Sequence, residues 1–120
     1  MKDLDALERA VSKFLNAELV RNARSFRAYQ SGQVCDHKIR LMDDPNAYEI
    51  GVRKQGEDAF SLNYDNWGPG QALDQRFGRG LTGLRNEYLA VVAESTLQRR
   101  GYRVRREVDT AEQVRLVAVR

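Results

Sequence analysis

Cysteine is nearly missing from this 120-residue chain, where Cys35 stands alone. An intramolecular disulfide is therefore excluded, and a reducing compartment or an inert thiol is expected. Histidine is as scarce, His37 being the only one. A structural zinc site draws on about four Cys or His ligands, so no metal site is expected. Cys35-Asp36-His37 is the one place where sulfur, carboxylate and imidazole meet. In a strand, Cys35 and His37 share a face while Asp36 points away. A cysteine nucleophile with His37 as its base would need a bend there, and a small core thiol is the simpler expectation. No apolar run approaches the roughly 20 residues that a membrane helix requires, so no contact with a membrane is expected. The opening M-K-D-L-D-A-L-E is acidic and helical in pattern, with no basic patch leading into an apolar stretch, and a cytoplasmic location is expected. Excess charge is also missing: a net +3 is too little for a nucleic-acid binder recognised by charge alone.

What is present is the composition of an ordinary globular domain, 42% apolar and 31% charged, with enough chain for a single core. The basic residues are skewed, 16 Arg against 4 Lys. Arg offers a planar fork that pairs with phosphate or carboxylate and stacks on flat rings; codon bias in a GC-rich genome would produce the same skew.

Leu4, Leu7, Val11 and Phe14 fall on one helical stripe, which predicts a first helix from Asp3 to about Asn16. Asp3 or Asp5 can cap it, and Glu8 follows Asp5 at capping-box spacing. From Glu18 the period turns toward two, as one bent strand or as two short ones around residues 22–25. After the turn Ser31-Gly32-Gln33, alternation predicts three strands: one with His37, Ile39 and Leu41 inward, one with Tyr48, Ile50 and Val52, and one with Phe60, Leu62 and Tyr64. The turns at residues 43–46 and 55–58 make these an antiparallel meander. A short helix over residues 71–77 comes next. A longer one carries Leu84, Tyr88, Val91, Val92 and Ser95 and stops at Arg99-Arg100-Gly101. A final hairpin joins a strand around residues 102–106 to one at 114–119 across a turn at 109–113. The fold class is α+β: a mostly antiparallel sheet with helices packed on one face and a helix-then-strands unit roughly repeated.

Templates for catalysis are incomplete. Asp43-Asp44 is accounted for by turn chemistry. The segments G-P-G and G-R-G-L-T-G lack the preceding strand and following Lys-Ser or Lys-Thr of a phosphate loop. No catalytic residue, cofactor or enzyme activity is expected.

Several segments in order, D-L-D-A-L, R-A-Y-Q-S-G-Q with D-H-K-I-R-L, Y-E-I-G-V-R-K-Q-G-E, Y-D-N-W-G, a long helix beginning near N-E-Y, and R-G-Y-R-V ahead of V-R-L-V, resemble one family. It is the hypothetical chloroplast reading frame thirty-five-like family of small domains of unknown function, from cyanobacteria, algal plastids and some bacteriophages. The resemblance spans nearly the whole chain. It implies a small α+β domain with no established chemistry, and it brings no catalytic residue. Members commonly begin with a strand before helix one; here Met1 nearly abuts the helix, so an open sheet edge, or one covered by another subunit, is expected. The matching positions Tyr29, Asp36, Arg53, Tyr64, Asp65 and Trp67 are candidates for a site.

If the inward residues of the meander face the helices, Lys38, Arg40, Arg53, Ser61 and Asn63 share the opposite face as a positive, hydrogen-bonding surface. Arg103 and Arg105 extend it if the last hairpin joins in register. Tyr29 and Trp67 at its rim would provide stacking surfaces. The binding residues expected are thus Tyr29, Lys38, Arg40, Arg53, Asn63, Asp65 and Trp67, for an anionic planar ligand such as a nucleotide. Among phage relatives that reading extends to a viral, immune-evasion protein sequestering a host defence nucleotide in the host cytoplasm. Against it stands a merely solvated face, with Glu49, Glu107 and Glu112 neutralising the arginines. Trp67 would then be a plug over the core, its indole bonded to Asp65 or a carbonyl, the commoner fate of a large aromatic after a core strand. Self-association or partner binding through an open sheet edge and binding of single-stranded nucleic acid are the other expectations.

Overall fold

The computed structural model describes residues 1–30, 32–108 and 114–119. Helix α1 spans Leu4–Val11, and Asp3 caps it by accepting the Ala6 amide at 3.0 Å. Its inner stripe, Ala6, Leu7, Ala10 and Val11, is fully buried. The helix stops short of Asn16 because the ladder tightens first, with Lys13 and Phe14 amides bonding three residues back to Ala10 and Val11. Asn16 then takes φ +53 and turns the chain into the sheet. Glu8, free of any capping role, pairs with Arg21 instead.

The ambiguous region after Glu18 is two strands in different sheets. Strand β1 (Ala17–Val20) belongs to the main sheet. Beyond Asn22, whose φ is +58, β2 (Ser25–Phe26) pairs with β3 (Gln33–Val34) in a small separate ribbon. The meander follows as expected in β4 (His37–Leu41), β5 (Ile50–Gln55) and β6 (Ala59–Asn63). The main sheet is antiparallel throughout, in the order β1-β4-β5-β6. Alternation decides its faces: Ile39, Leu41, Ile50 and Val52 are buried against the helices, with Phe60 and Leu62 packed beside them.

Helix α2 (Gln71–Phe77) puts Leu73 and Phe77 into the core, where Phe14 meets Phe77 edge-on at 5.0 Å. Helix α3 (Thr82–Arg99) lies against α1. It ends where the sequence predicts, with Gly101 at φ +88 and the Tyr102 amide closing onto Leu97. Strands β7 (Arg103–Val108) and β8 (Val114–Val119) form their own hairpin against α3. Arg106 fixes it there, gripping Glu87 and bonding Glu94 at 2.7 Å. The expected helix-then-strands recurrence thus holds only in element order, since the second set of strands never joins the first sheet. Arg103 and Arg105 consequently lie off the main sheet's outer face, and Arg105 pairs with Glu107 of its own strand at 3.1 Å. The turn expected at 109–113, together with Glu112 and Ser31, lies outside the described residues. Among the described residues, no helix is long and apolar enough to cross a membrane.

Candidate binding cleft

The outer face of the sheet is not an open positive plane, because the β2–β3 ribbon folds over it. The hinge of this arrangement is Gly51 on β5, cross-strand neighbour of Lys38 and Asn63. A Cβ there would stand 2.3 Å from Cε1 of Phe26, so only glycine lets the buried Phe26 ring come this close to the strand backbone. Arg53, two residues along, crosses above that ring at 5.6 Å and ties the ribbon down. Its Nε donates to the Val34 carbonyl at 2.7 Å and its Nη2 to Gln33 Oε1 at 3.2 Å.

Between the ribbon and the end of β6 lies a polar cleft of about 350 Å³. Tyr29, Gln30 and Gln33 line it from the ribbon side, and Arg53, Asn63 and Asp65 from the sheet side. Asp65 ties the two walls together, its Oδ2 accepting the Tyr29 amide at 2.8 Å. The Tyr29 ring then packs tilted against Trp67 with 5.0 Å between centroids and 49° between planes. Both rings face water, Tyr29 62% and Trp67 56% exposed. The plug expectation for Trp67 is therefore overturned: the indole lies outside the core cluster.

The loop that carries Trp67 is held at both ends. The Tyr64 hydroxyl donates to Asp74 Oδ1 at 2.6 Å, and the same oxygen accepts the Gly80 amide. Burial, followed by that carboxylate, pushes the Tyr64 phenol up to about 12. Farther along, Gly70 fits because a Cβ on it would fall 1.7 Å from the Asp65 carbonyl oxygen.

Of the seven residues expected at a site, Tyr29, Arg53, Asn63 and Asp65 line this cleft, and Trp67 packs against Tyr29 at its rim. Lys38 and Arg40 do not join them. Lys38 is held by the buried Glu49 at 3.1 Å, and that carboxylate also accepts the Arg27 amide at 2.7 Å. Arg40 is clasped by Glu18, its cross-strand partner on β1. Sequence reasoning missed Gln30, in the bend between β2 and β3, and Gln33, whose strand is only two residues long, although a glycine inside β5 signalled that something approaches the sheet closely there.

The acid pair Asp43-Asp44 is structural: Asp44 closes an Asx turn onto the Asn46 amide, while Arg76, bonded at 3.0 Å, pulls the Asp43 carboxyl below its ordinary value. Cys35 and His37 are both buried, but not on one strand face as expected: His37 opens β4, while Cys35 lies between β3 and β4 with a bend at Asp36, whose carboxylate accepts the Lys54 amide. Burial raises the Cys35 thiol and lowers the His37 imidazole, whose Nδ1 accepts the Asn22 amide at 3.0 Å. Neither is poised as a nucleophile or a charged acid at neutral pH. Among the described residues, no three His, Cys, Asp or Glu gather to hold a metal.

Chemically, the cleft offers one cation and one anion. Arg53 has five N–H donors, and among the described residues Nη1 meets no acceptor and no carboxylate pairs with the group. No family model, curated protein or solved structure matches the chain. The cleft's own side chains therefore carry the functional reading.

Proposed function

We propose that the protein is a non-catalytic module that binds a planar, anionic ligand of the nucleotide type in this cleft. One observation carries the reading: a water-exposed aromatic pair is fixed beside a guanidinium that lacks a carboxylate partner among the described residues. Stacking on an aromatic side chain contributes about 1–3 kcal/mol per base, and an arginine fork gives bidentate phosphate contacts. The family resemblance extends the proposal: in a phage-encoded copy, such a module would hold a host defence nucleotide out of circulation in the host cytoplasm. Calorimetric titration with a panel of nucleoside monophosphates tests it, alongside analysis of nucleotides released by heat denaturation. Binding that Trp67→Ala and Arg53→Met each weaken at least tenfold supports it; no heat of binding and no released nucleotide refute it.

A second reading has its own observation, on the far edge of the sheet. Met1 and Phe60 exchange backbone hydrogen bonds, Phe60 N–H to the Met1 carbonyl at 2.6 Å and the Met1 ammonium to the Phe60 carbonyl at 3.4 Å. Such a reciprocal pair is antiparallel, so the edge expected to be open is already covered at one residue. Leu62, two along, directs its backbone the same way, over a groove of about 400 Å³ lined by Tyr88 and the 61% exposed Leu89. We propose this edge as a place where a second copy adds a strand. Sedimentation velocity across a concentration series tests it: dimerisation lost in Leu89→Asp supports it, and a monomer at every concentration refutes it.

A further inference from the structure

Building on the nucleotide reading and dependent on it, we infer that the cleft selects guanine. Asn63 and Asp65 are two residues apart at the end of β6 and line the same cleft. The Asn63 amide is oriented by its neighbour, since Nδ2 donates to Ser61 Oγ at 3.1 Å. Among the described residues Oδ1 accepts from no donor, and Nδ2 keeps one N–H to spare. Asp65 is oriented likewise, because Oδ2 accepts the Tyr29 amide. Among the described residues, Oδ1 of Asp65 has no donor. The sheet-side wall therefore presents an unfilled acceptor on each residue, and the charged one, Asp65 Oδ1, outweighs the spare Asn63 N–H because hydrogen bonds to an ionised group are about twice as strong as neutral ones, next to the exposed Tyr29 ring.

A flat ring that satisfies such a wall must bring donors on adjacent atoms. Guanine does so with N1–H and the N2 amino group, which together match the two oxygens of a carboxylate or one such oxygen and a nearby amide carbonyl. Adenine and cytosine each set an amino donor beside a ring-nitrogen acceptor, and that lone pair would face the Asp65 charge. Uracil flanks its single N–H with two carbonyl oxygens. These three are selected against by repulsion as well as by missing bonds. The phosphate end falls to Arg53, which lies opposite Ser61 on the neighbouring strand, roughly 7 Å along from the level of Asn63 at the usual strand rise.

Titration of the unmodified protein with guanosine, adenosine, inosine and xanthosine 5′-monophosphates tests this. Guanosine monophosphate is expected to bind ~10- to 100-fold tighter than adenosine monophosphate, in line with one well-placed base contact pair. Inosine monophosphate, which lacks only the exocyclic amino group, is expected to fall between them. Asp65→Asn keeps an oxygen for the Tyr29 amide and turns an N–H₂ toward the base. It should lose the guanine preference and favour xanthosine monophosphate, whose C2 carbonyl accepts from that group. Equal affinity of the unmodified protein for the guanine and adenine nucleotides overturns the inference and leaves the nucleotide reading standing. A guanine preference that survives Asp65→Asn, in protein whose circular dichroism is unchanged, also overturns it. Failure to bind any nucleotide removes both.

Discussion

Replacing Gly51 by alanine is the sharpest test of how the cleft is built. The new Cβ would lie 2.3, 2.6 and 2.8 Å from three carbons of the Phe26 ring. Ordinary contact begins near 3.4 Å, so the ring must retreat by about 1 Å, and the ribbon must follow it. Overpacking of this kind costs about 1–3 kcal/mol, offset by the roughly 0.5–1 kcal/mol that alanine recovers over glycine in a strand. A net loss of about 1–2 kcal/mol is expected from urea denaturation followed by circular dichroism. Phe26→Ala alone should cost about 3–4 kcal/mol, near the usual value for a buried phenylalanine. In that background the alanine at position 51 meets nothing, so the double variant should be more stable than the sum of the singles by about 1–3 kcal/mol. If Gly51→Ala is neutral within ~0.5 kcal/mol, or costs the same with and without Phe26, the ribbon does not sit on the sheet as described. Ligand affinity should fall with Gly51→Ala as well, because Tyr29 and Gln33 ride on the displaced ribbon.

Arg106→Met leaves the 9% exposed Glu87 without its cation, and a loss of roughly 2–4 kcal/mol is expected, short of a fully buried pair; adding Glu87→Gln should recover part of it, both read from urea midpoints. His37 supplies a pH dependence: burial lowers it from its ordinary value of 6.5, so the unfolded chain takes up a proton that the folded chain refuses. Stability should therefore hold level above that value and fall as pH drops through it, by at most about 1.4 kcal/mol per pH unit. As the chain has one histidine, His37→Gln should flatten the decline between pH 7 and 5.5. Trp67, the only tryptophan, should emit as a water-exposed indole, quench readily with acrylamide, and tolerate alanine at a cost under ~1 kcal/mol; a blue-shifted, protected emission would restore the plug.

How far the sequence could be read depends on the range of the interactions involved. The Asp3 cap, the stop at Gly101 and the inward alternation of β4 and β5 are local, so propensity and period found them. The pairing of Arg40 with Glu18 and of Lys38 with Glu49 needed the register of β1 and the path of the ribbon, which no local pattern encodes. The ribbon itself has strands of two residues, below the length at which alternation can be recognised. Its trace was present nonetheless in Gly51, a glycine placed where a strand wants a side chain. Arg103 and Arg105 were misplaced for a related reason: a hairpin's alternation says which residues share a face but not which layer the hairpin joins, and here α3 received it through Glu87 and Glu94.

The position of Trp67 runs against the simplest energetics. Burying a side chain of that size would contribute roughly 2–3 kcal/mol or more, yet the loop is fixed in a way that keeps it out. Asp65 is committed to the Tyr29 amide, Tyr64 to Asp74, and the Asp65 carbonyl packs so tightly on Gly70 that no side chain fits between them. Gly68, with φ +57, turns the chain directly after the indole. An exposed aromatic on a slack loop would be accidental, but one held by three anchors is preorganised. Preorganisation lowers the ordering cost that association must overcome. Arg53, pinned at Nε and Nη2 with Nη1 left over, follows the same pattern on the sheet-side wall. A ligand entering the cleft would find ring, guanidinium and acceptors already in place, so affinity should depend on the anchors Asp65 and Tyr64 as much as on the residues it touches.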